Sequence, residues 1–319
     1  MQKSRFLKGL ACGLCASVLL GVSAPVTEAA SKAEQAQAKT LYSSAYSSYK
    51  SGDLIAAADG FINASKLDKE NPLISMSAGE MLLRLKQYQS SIRYFRMAED
   101  NFRHAPKGTK DRVILKTYSG LSHAYLESGD KDNAISNAEE VVKRFGKKYD
   151  GYLLLGNIYA MDGGDEMKAI ENYEKALEMD DSRTEIYDAL LDLYKKKGDN
   201  EEQENVLKRG CVARPLDEIM KAKLGEFYLE WHDGGKNHYA EAEQVFKDLV
   251  GLNEKSAWGH YYLGAAYTLQ GKFDDASNEL AILSSLNQNL ANRLRGDMEQ
   301  QRENNPSQDA PLTISVGKE

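Results

Sequence analysis

The sequence predicts an all-α fold, a solenoid of about seven tandem helix–turn–helix units closed by a C-terminal capping helix. Three observations carry that expectation. Proline is scarce, 6 in 319 residues, while Ala, Leu, Glu and Lys are abundant, which favours helix over strand. A Gly-Asp pair or its equivalent recurs between apolar stretches, and Gly129, Gly164 and Gly198 lie 35 and 34 residues apart. Around each pair the apolar positions fall at helical spacing, as in Ala169, Tyr173 and Ala176. One helical hairpin cannot bury its apolar face alone, so a tandem array stacks into a continuous core.

The elements follow in order. Lys3, Arg5 and Lys8 precede an apolar run from Gly9 to Val22 and small residues at Ala29-Ala30. This is the layout of a cleaved secretory signal peptide over residues 1–29. The run is short for a membrane span, so the mature form is expected to carry no integral span. The repeats occupy 30–302. The first unit offers Gly52-Asp53, Ala57, Phe61 and Ala64, and the second Ala78-Gly79, Leu82, Phe95 and Ala98; both are weaker than those that follow. The third has Leu121-Ser122, Tyr125, Gly129-Asp130, Ala134 and Ala138. The fourth has Leu155-Gly156, Tyr159, Gly164-Asp165, Ala169 and Tyr173. The fifth has Leu190-Leu191, Tyr194, Gly198-Asp199 and Leu207. The sixth has Leu224-Gly225 and Tyr228, then a long connection to Tyr239, Ala242 and Phe246; the seventh has Leu263-Gly264, Tyr267, Gly271 and Ala276. Residues 289–302 read as one polar helix that caps the array, and 303–319 as a disordered tail.

A period near 34 with this residue pattern resembles the tetratricopeptide repeat, over residues 38 to 286. The resemblance implies a right-handed superhelix whose concave wall is lined by the first helix of each unit. It also implies a chain that works by binding a protein or peptide, with no catalytic residue and no cofactor. Projecting the first helices onto that wall gives Tyr42, Tyr46 and Tyr49, then Met76, Glu80 and Leu83, then His123. Leu153 and Asn157 follow, then Asp188, Asp192 and Lys195, and finally Trp258 and Tyr261. Chaperone-docking members clamp a C-terminal carboxylate with paired basic residues and Asn. Only Asn157 falls at such a place here, so that activity is not expected.

Charge and motif exclude other classes. The net charge of −7 falls to about −9 once residues 1–29 are removed, and a chain this acidic lacks the basic footprint of a nucleic-acid binder. Only Cys211 survives cleavage, so stability must come from packing rather than from an internal disulfide. Gly163-Gly164-Asp165-Glu166 opens the loop signature of diguanylate cyclases, but helical pattern lies on both sides of it. It reads as the inter-helix turn of the fourth unit with one extra residue, and it enters an apolar helix too soon for a calcium loop. His232 and His238 flank a Gly-rich loop with Asp233 beside them, two ligands in search of a third. The expected function is a non-enzymatic scaffold or adaptor in a periplasmic or secreted assembly: an envelope, secretion or surface-polymer complex. A metal-dependent hydrolytic site at the His232–His238 loop is one alternative. A structural protein that self-associates into a homo-oligomer is the other.

Overall fold

The computed structural model describes residues 31–161 and 163–304. The signal peptide expected at 1–29 lies outside these residues. Glu303 and Asn304, expected in the tail, belong to the last helix; the rest of the expected tail, 305–319, lies outside these residues.

Fifteen α-helices form seven antiparallel hairpins and a cap among the described residues. The hairpins are α1 (Lys32–Lys50) with α2 (Leu54–Leu67), α3 (Pro72–Arg84) with α4 (Tyr88–Asp100), and α5 (Lys110–Glu127) with α6 (Lys131–Phe145). Next come α7 (Asp150–Ala160) with α8 (Glu166–Met179), α9 (Thr184–Lys197) with α10 (Asn200–Ala213), α11 (Glu218–Glu230) with α12 (Tyr239–Leu252), and α13 (Ala257–Leu269) with α14 (Phe273–Leu286). The cap is α15 (Gln288–Asn304). A 3₁₀ turn, Phe102–His104, precedes α5.

The Gly-Asp turns work as their chemistry dictates. Asp53, Asp130, Asp165 and Asp199 each accept the backbone N–H three residues on, so each caps the second helix of its unit. Gly129 and Gly198 take the left-handed conformation that ends the first helix. The second unit has no glycine there, and Lys86 sits at φ 58° in its place, which is why its pattern looked weak. In the fourth unit the left-handed residue is Gly163 rather than Gly164. Gly164 is needed for a different reason: a Cβ there would stand 2.1 Å from the Tyr159 carbonyl oxygen.

Small residues and rings interlock within the hairpins. A Cβ on Gly156 would lie 2.5 Å from the Tyr173 ring, and one on Gly225 2.4 Å from the Phe246 ring. Ala169 and Ala276 are fully buried at the same kind of seam. Burying each large apolar side chain contributes about 1.5–3 kcal/mol. Units are also tied one period apart: Glu80 to Lys116 at 2.8 Å, Asp188 to Lys223 at 2.5 Å, and Glu174 to Arg209 by two hydrogen bonds of 2.9 and 2.7 Å. First helices of successive units touch, as α3 with α5, α5 with α7 and α11 with α13, whereas second helices do not to a comparable extent. The stack therefore curves toward the first helices, which line its inner wall.

Candidate functional site

Two grooves open on the inner wall. The N-terminal groove, about 440 Å³, lies between α3 and α5 and is lined by Leu83, Arg84, Arg112, Lys116 and His123. The C-terminal groove, about 970 Å³, lies among α11, α13 and α15 and is lined by Ile219, Glu226, Trp258, Tyr262, Leu290 and Arg293.

Helix capping builds the C-terminal groove. Asp217 accepts from the Ile219 and Met220 N–H groups at 3.0 and 3.1 Å and starts α11. Ser256 accepts from the Gly259 N–H at 3.2 Å and starts α13. Asn287 accepts from the Asn289 and Leu290 N–H groups at 3.1 and 3.2 Å and starts α15. The first turns of these three helices thus carry Ile219, Trp258 and Leu290 to one opening. Aromatic rings run from the core to this opening. Phe246 stacks on Tyr262 at 5.2 Å, and Tyr262 stacks on Trp258 at 5.7 Å. Trp258 remains 48% exposed. Burial and the neighbouring Glu226 carboxylate push the Tyr262 phenol well above its ordinary pKa, so it stays a proton donor at neutral pH.

The expected wall residues divide into three groups. Tyr46, His123, Asn157, Asp192 and Trp258 are exposed. Leu83 is half-buried and lines the N-terminal groove. His123 is open to water but sits low in that groove, and desolvation by the surrounding protein lowers its pKa. Asn157 accepts the Tyr173 hydroxyl at 2.8 Å. Burial, with Asp192 adding to it, raises the Tyr173 phenol to about 12.

Four expected wall residues need correction: Met76, Tyr261, Tyr42 and Tyr49. Met76 is 3% exposed, because α5 packs over that face of α3 and draws it into the core with Val113 and Ile114. Tyr261 is 1% exposed: α15 occupies the place of an eighth first helix, and Asp297 accepts the Tyr261 hydroxyl at 3.0 Å. The tyrosine row on α1 does not face solvent as a set. Tyr42 packs on Phe61 at 5.1 Å, and Tyr49 lies under the Arg84 guanidinium at 5.5 Å; only Tyr46 is exposed. Helix α3, in the unit that follows, covers this face, with Ser77 3.5 Å from the Tyr42 hydroxyl and Arg84 over Tyr49.

The long sixth connection is a short antiparallel ribbon, β1 (His232–Asp233) with β2 (Lys236–Asn237). Gly234 and Gly235, both at positive φ, make its two-residue turn. The ribbon turns the two histidines to different partners. His232 meets the Glu230 carbonyl at 2.8 Å and the Tyr239 hydroxyl at 3.1 Å. His238 is buried and stacks on Trp231 at 4.0 Å. Among the described residues no group of three or more His, Cys, Asp or Glu is arranged to hold a metal ion. Cys211 is a free, half-buried thiol whose pKa burial raises.

Sequence reasoning missed Ile219, Tyr262, Leu290 and the bases of the N-terminal groove. The one-period pairs Glu80 with Lys116 and Asp188 with Lys223 were a usable signal, since complementary charges one repeat apart mark neighbouring wall positions.

A tetratricopeptide-repeat profile matches residues 42–106 and 120–184. The chain carries tetratricopeptide repeats. It is 26% identical over 150 residues to anaphase-promoting complex subunit 7 of Arabidopsis thaliana, covering 47% of this chain and 25% of that one. It is 24% identical over 257 residues to tetratricopeptide repeat protein 37 of Xenopus laevis, covering 68% of this chain and 16% of that one. It therefore spans a quarter or less of these relatives. Among solved structures, the C-terminal part of a repeat protein from Cytophaga hutchinsonii superposes with a TM-score of 0.52 at 13% identity, covering 77% of this chain and 95% of that one; the likeness is one of fold. Tetratricopeptide-repeat proteins bind protein partners, and the fold is that of an interaction scaffold. No helix among the described residues is long and apolar enough to cross a membrane.

Proposed function

We propose that this tetratricopeptide-repeat chain is a non-enzymatic adaptor that holds a protein or peptide segment along its inner wall, in an assembly outside the cytoplasm. The observation that carries the binding reading is Trp258, almost half exposed at the mouth of the larger groove and backed by Tyr262. An aromatic ring held rigidly at the edge of a cleft of mixed polar and apolar lining supplies contact area at low entropic cost. The basic start and apolar run at the N-terminus support export. The different partners of His232 and His238 disfavour the hydrolytic alternative.

Two experiments test this. Capture from an envelope extract should retain a discrete partner, and Trp258→Ala should weaken that capture more than about tenfold. Undiminished capture would move the surface elsewhere. Mass spectrometry of the native protein should find a mature start near Ala30. An intact Met1, or a lipid on Cys12 or Cys15, would overturn the export reading.

A further inference from the structure

Twelve large apolar side chains are exposed among the described residues, and they are unevenly placed. Eight lie on one edge of the solenoid, where a second helix ends and the next first helix begins; one is Met179, at the end of α8, and the other seven fall within three consecutive connections. Val212 ends α10, Leu252 ends α12, Ile282 and Leu286 end α14, and Leu216 sits in the α10–α11 connection. Ile219 and Trp258, at the mouth of the groove, form the inner margin of this stripe. Val212 and Leu216 are 81% and 78% exposed. The same edge in the first three units has none of the twelve; its connections carry Lys69, Glu70, Arg103, Lys107, Lys147 and Lys148 instead. The stripe is therefore a property of these residues and not of the fold.

Its charge selects the occupant. Arg214 and Asp217 pair at 2.7 Å, Glu218 accepts from Asn253 at 3.2 Å, Glu254 and Lys255 are adjacent, and residues 282–290 carry no charge. The stripe is near neutral on a chain with net charge −7, so it is where two copies meet with least repulsion. It offers no basic surface to an anionic membrane. From the fractional exposures the seven side chains present roughly 700 Å², close to one partner's share of a standard interface and above the largest apolar patch of a typical monomer. The three connections stand about 10 Å apart. An antiparallel two-fold arrangement sets the α10–α11 connection of one copy against the α14–α15 connection of the other, with the α12–α13 connections meeting at the axis.

We propose that this edge pairs with the same edge of a second copy as an isologous dimer. The stripe shares Ile219 and Trp258 with the mouth of the groove, so a second copy and a groove-bound partner would compete there; the test variants at Val212 and Leu216 lie outside the groove lining and separate the two readings.

Sedimentation of the purified mature chain, without residues 1–29, from about 1 to about 100 μM tests it. The chain should sediment at twice its monomer mass. The double variant Val212→Glu, Leu216→Glu should be monomeric, with association weakened at least about a hundredfold, because the symmetry counts each buried charge twice. Its helical circular dichroism should be unchanged, since both side chains are exposed. Mixing Leu216→Glu chains with Leu286→Lys chains should restore pairing as a heterodimer if the two-fold register is right. A mature chain that is monomeric at every concentration overturns the proposal, as does a double variant that still dimerises. If removing residues 305–319 from a monomeric chain then releases dimerisation, that segment is the occupant and the proposal fails in its favour.

Discussion

The two inner grooves hold equivalent places in the repeat and carry different chemistry. The N-terminal one is narrow and edged by Arg84, Arg112 and Lys116, with Lys116 tied to Glu80. The C-terminal one has about twice the volume and is floored by Tyr262 with Trp258 at its mouth. Both walls are made of first helices. What differs is how the array continues among the described residues: α3 and α5 are followed by further repeats, whereas the α13 hairpin is followed by a single helix, α15. The cap covers Tyr261 and leaves Trp258 open. The cap and the last hairpins thus form a roomier, aromatic-floored cleft that α3 and α5 do not.

The largest expected effect breaks this difference directly. Tyr261→Ala removes a fully buried ring and leaves Asp297 without its donor, in a place where burial already raises the Asp297 carboxyl pKa. It should cost about 3–5 kcal/mol. Hydrogen exchange should speed up in α13 and α15 and hardly change in α3 and α5. Uniform loosening along the whole chain would contradict the local account.

A smaller effect separates the two halves by pH. Burial opposes ionisation of Glu243, but hydrogen bonds from Lys247 and Lys272, each 2.6 Å, and from Gln270 at 2.9 Å outweigh it and hold its pKa at about 2 against an ordinary 4.5. The folded state thus binds the proton less readily than the unfolded chain. The associated stability is present above pH 4.5 and is lost as pH falls toward 2. Glu243→Gln should cost roughly 1–3 kcal/mol at neutral pH and flatten acid unfolding across that window. Acid titration of the variant checks this, with α12 to α14 the first region of the wild type to open.

The smallest effect belongs to the N-terminal half. Lys86 holds a left-handed turn that glycine holds in other units. Lys86→Gly should stabilise the chain by up to about 1 kcal/mol, read as a rise in melting temperature.

The repeat's register was legible in the sequence because turn chemistry is local. Asp53, Asp130, Asp165 and Asp199 cap the helices they were expected to cap. Seven hairpins and a polar cap follow from counting those turns. The inner wall was less legible. Periodicity places Met76, Tyr261 and the α1 tyrosines on the correct side of their helices, but whether a side chain there is covered depends on how closely the next first helix approaches. That distance is set by tertiary packing: α5 closes over Met76, α3 over Tyr42 and Tyr49, and α15 over Tyr261. The ribbon between His232 and Asn237 was missed because the Gly234-Gly235 hairpin signal lies in strands only two residues long.

The central claim is that partner binding belongs to the C-terminal groove. Its most direct test is the affinity of a captured partner, measured by titration calorimetry, for the wild type, Trp258→Ala and Arg112→Ala. The account predicts that Trp258→Ala loses about 2 kcal/mol, more than tenfold in affinity, while Arg112→Ala stays within about threefold. Unchanged affinity for Trp258→Ala together with a large loss for Arg112→Ala would contradict it and place the site in the N-terminal groove.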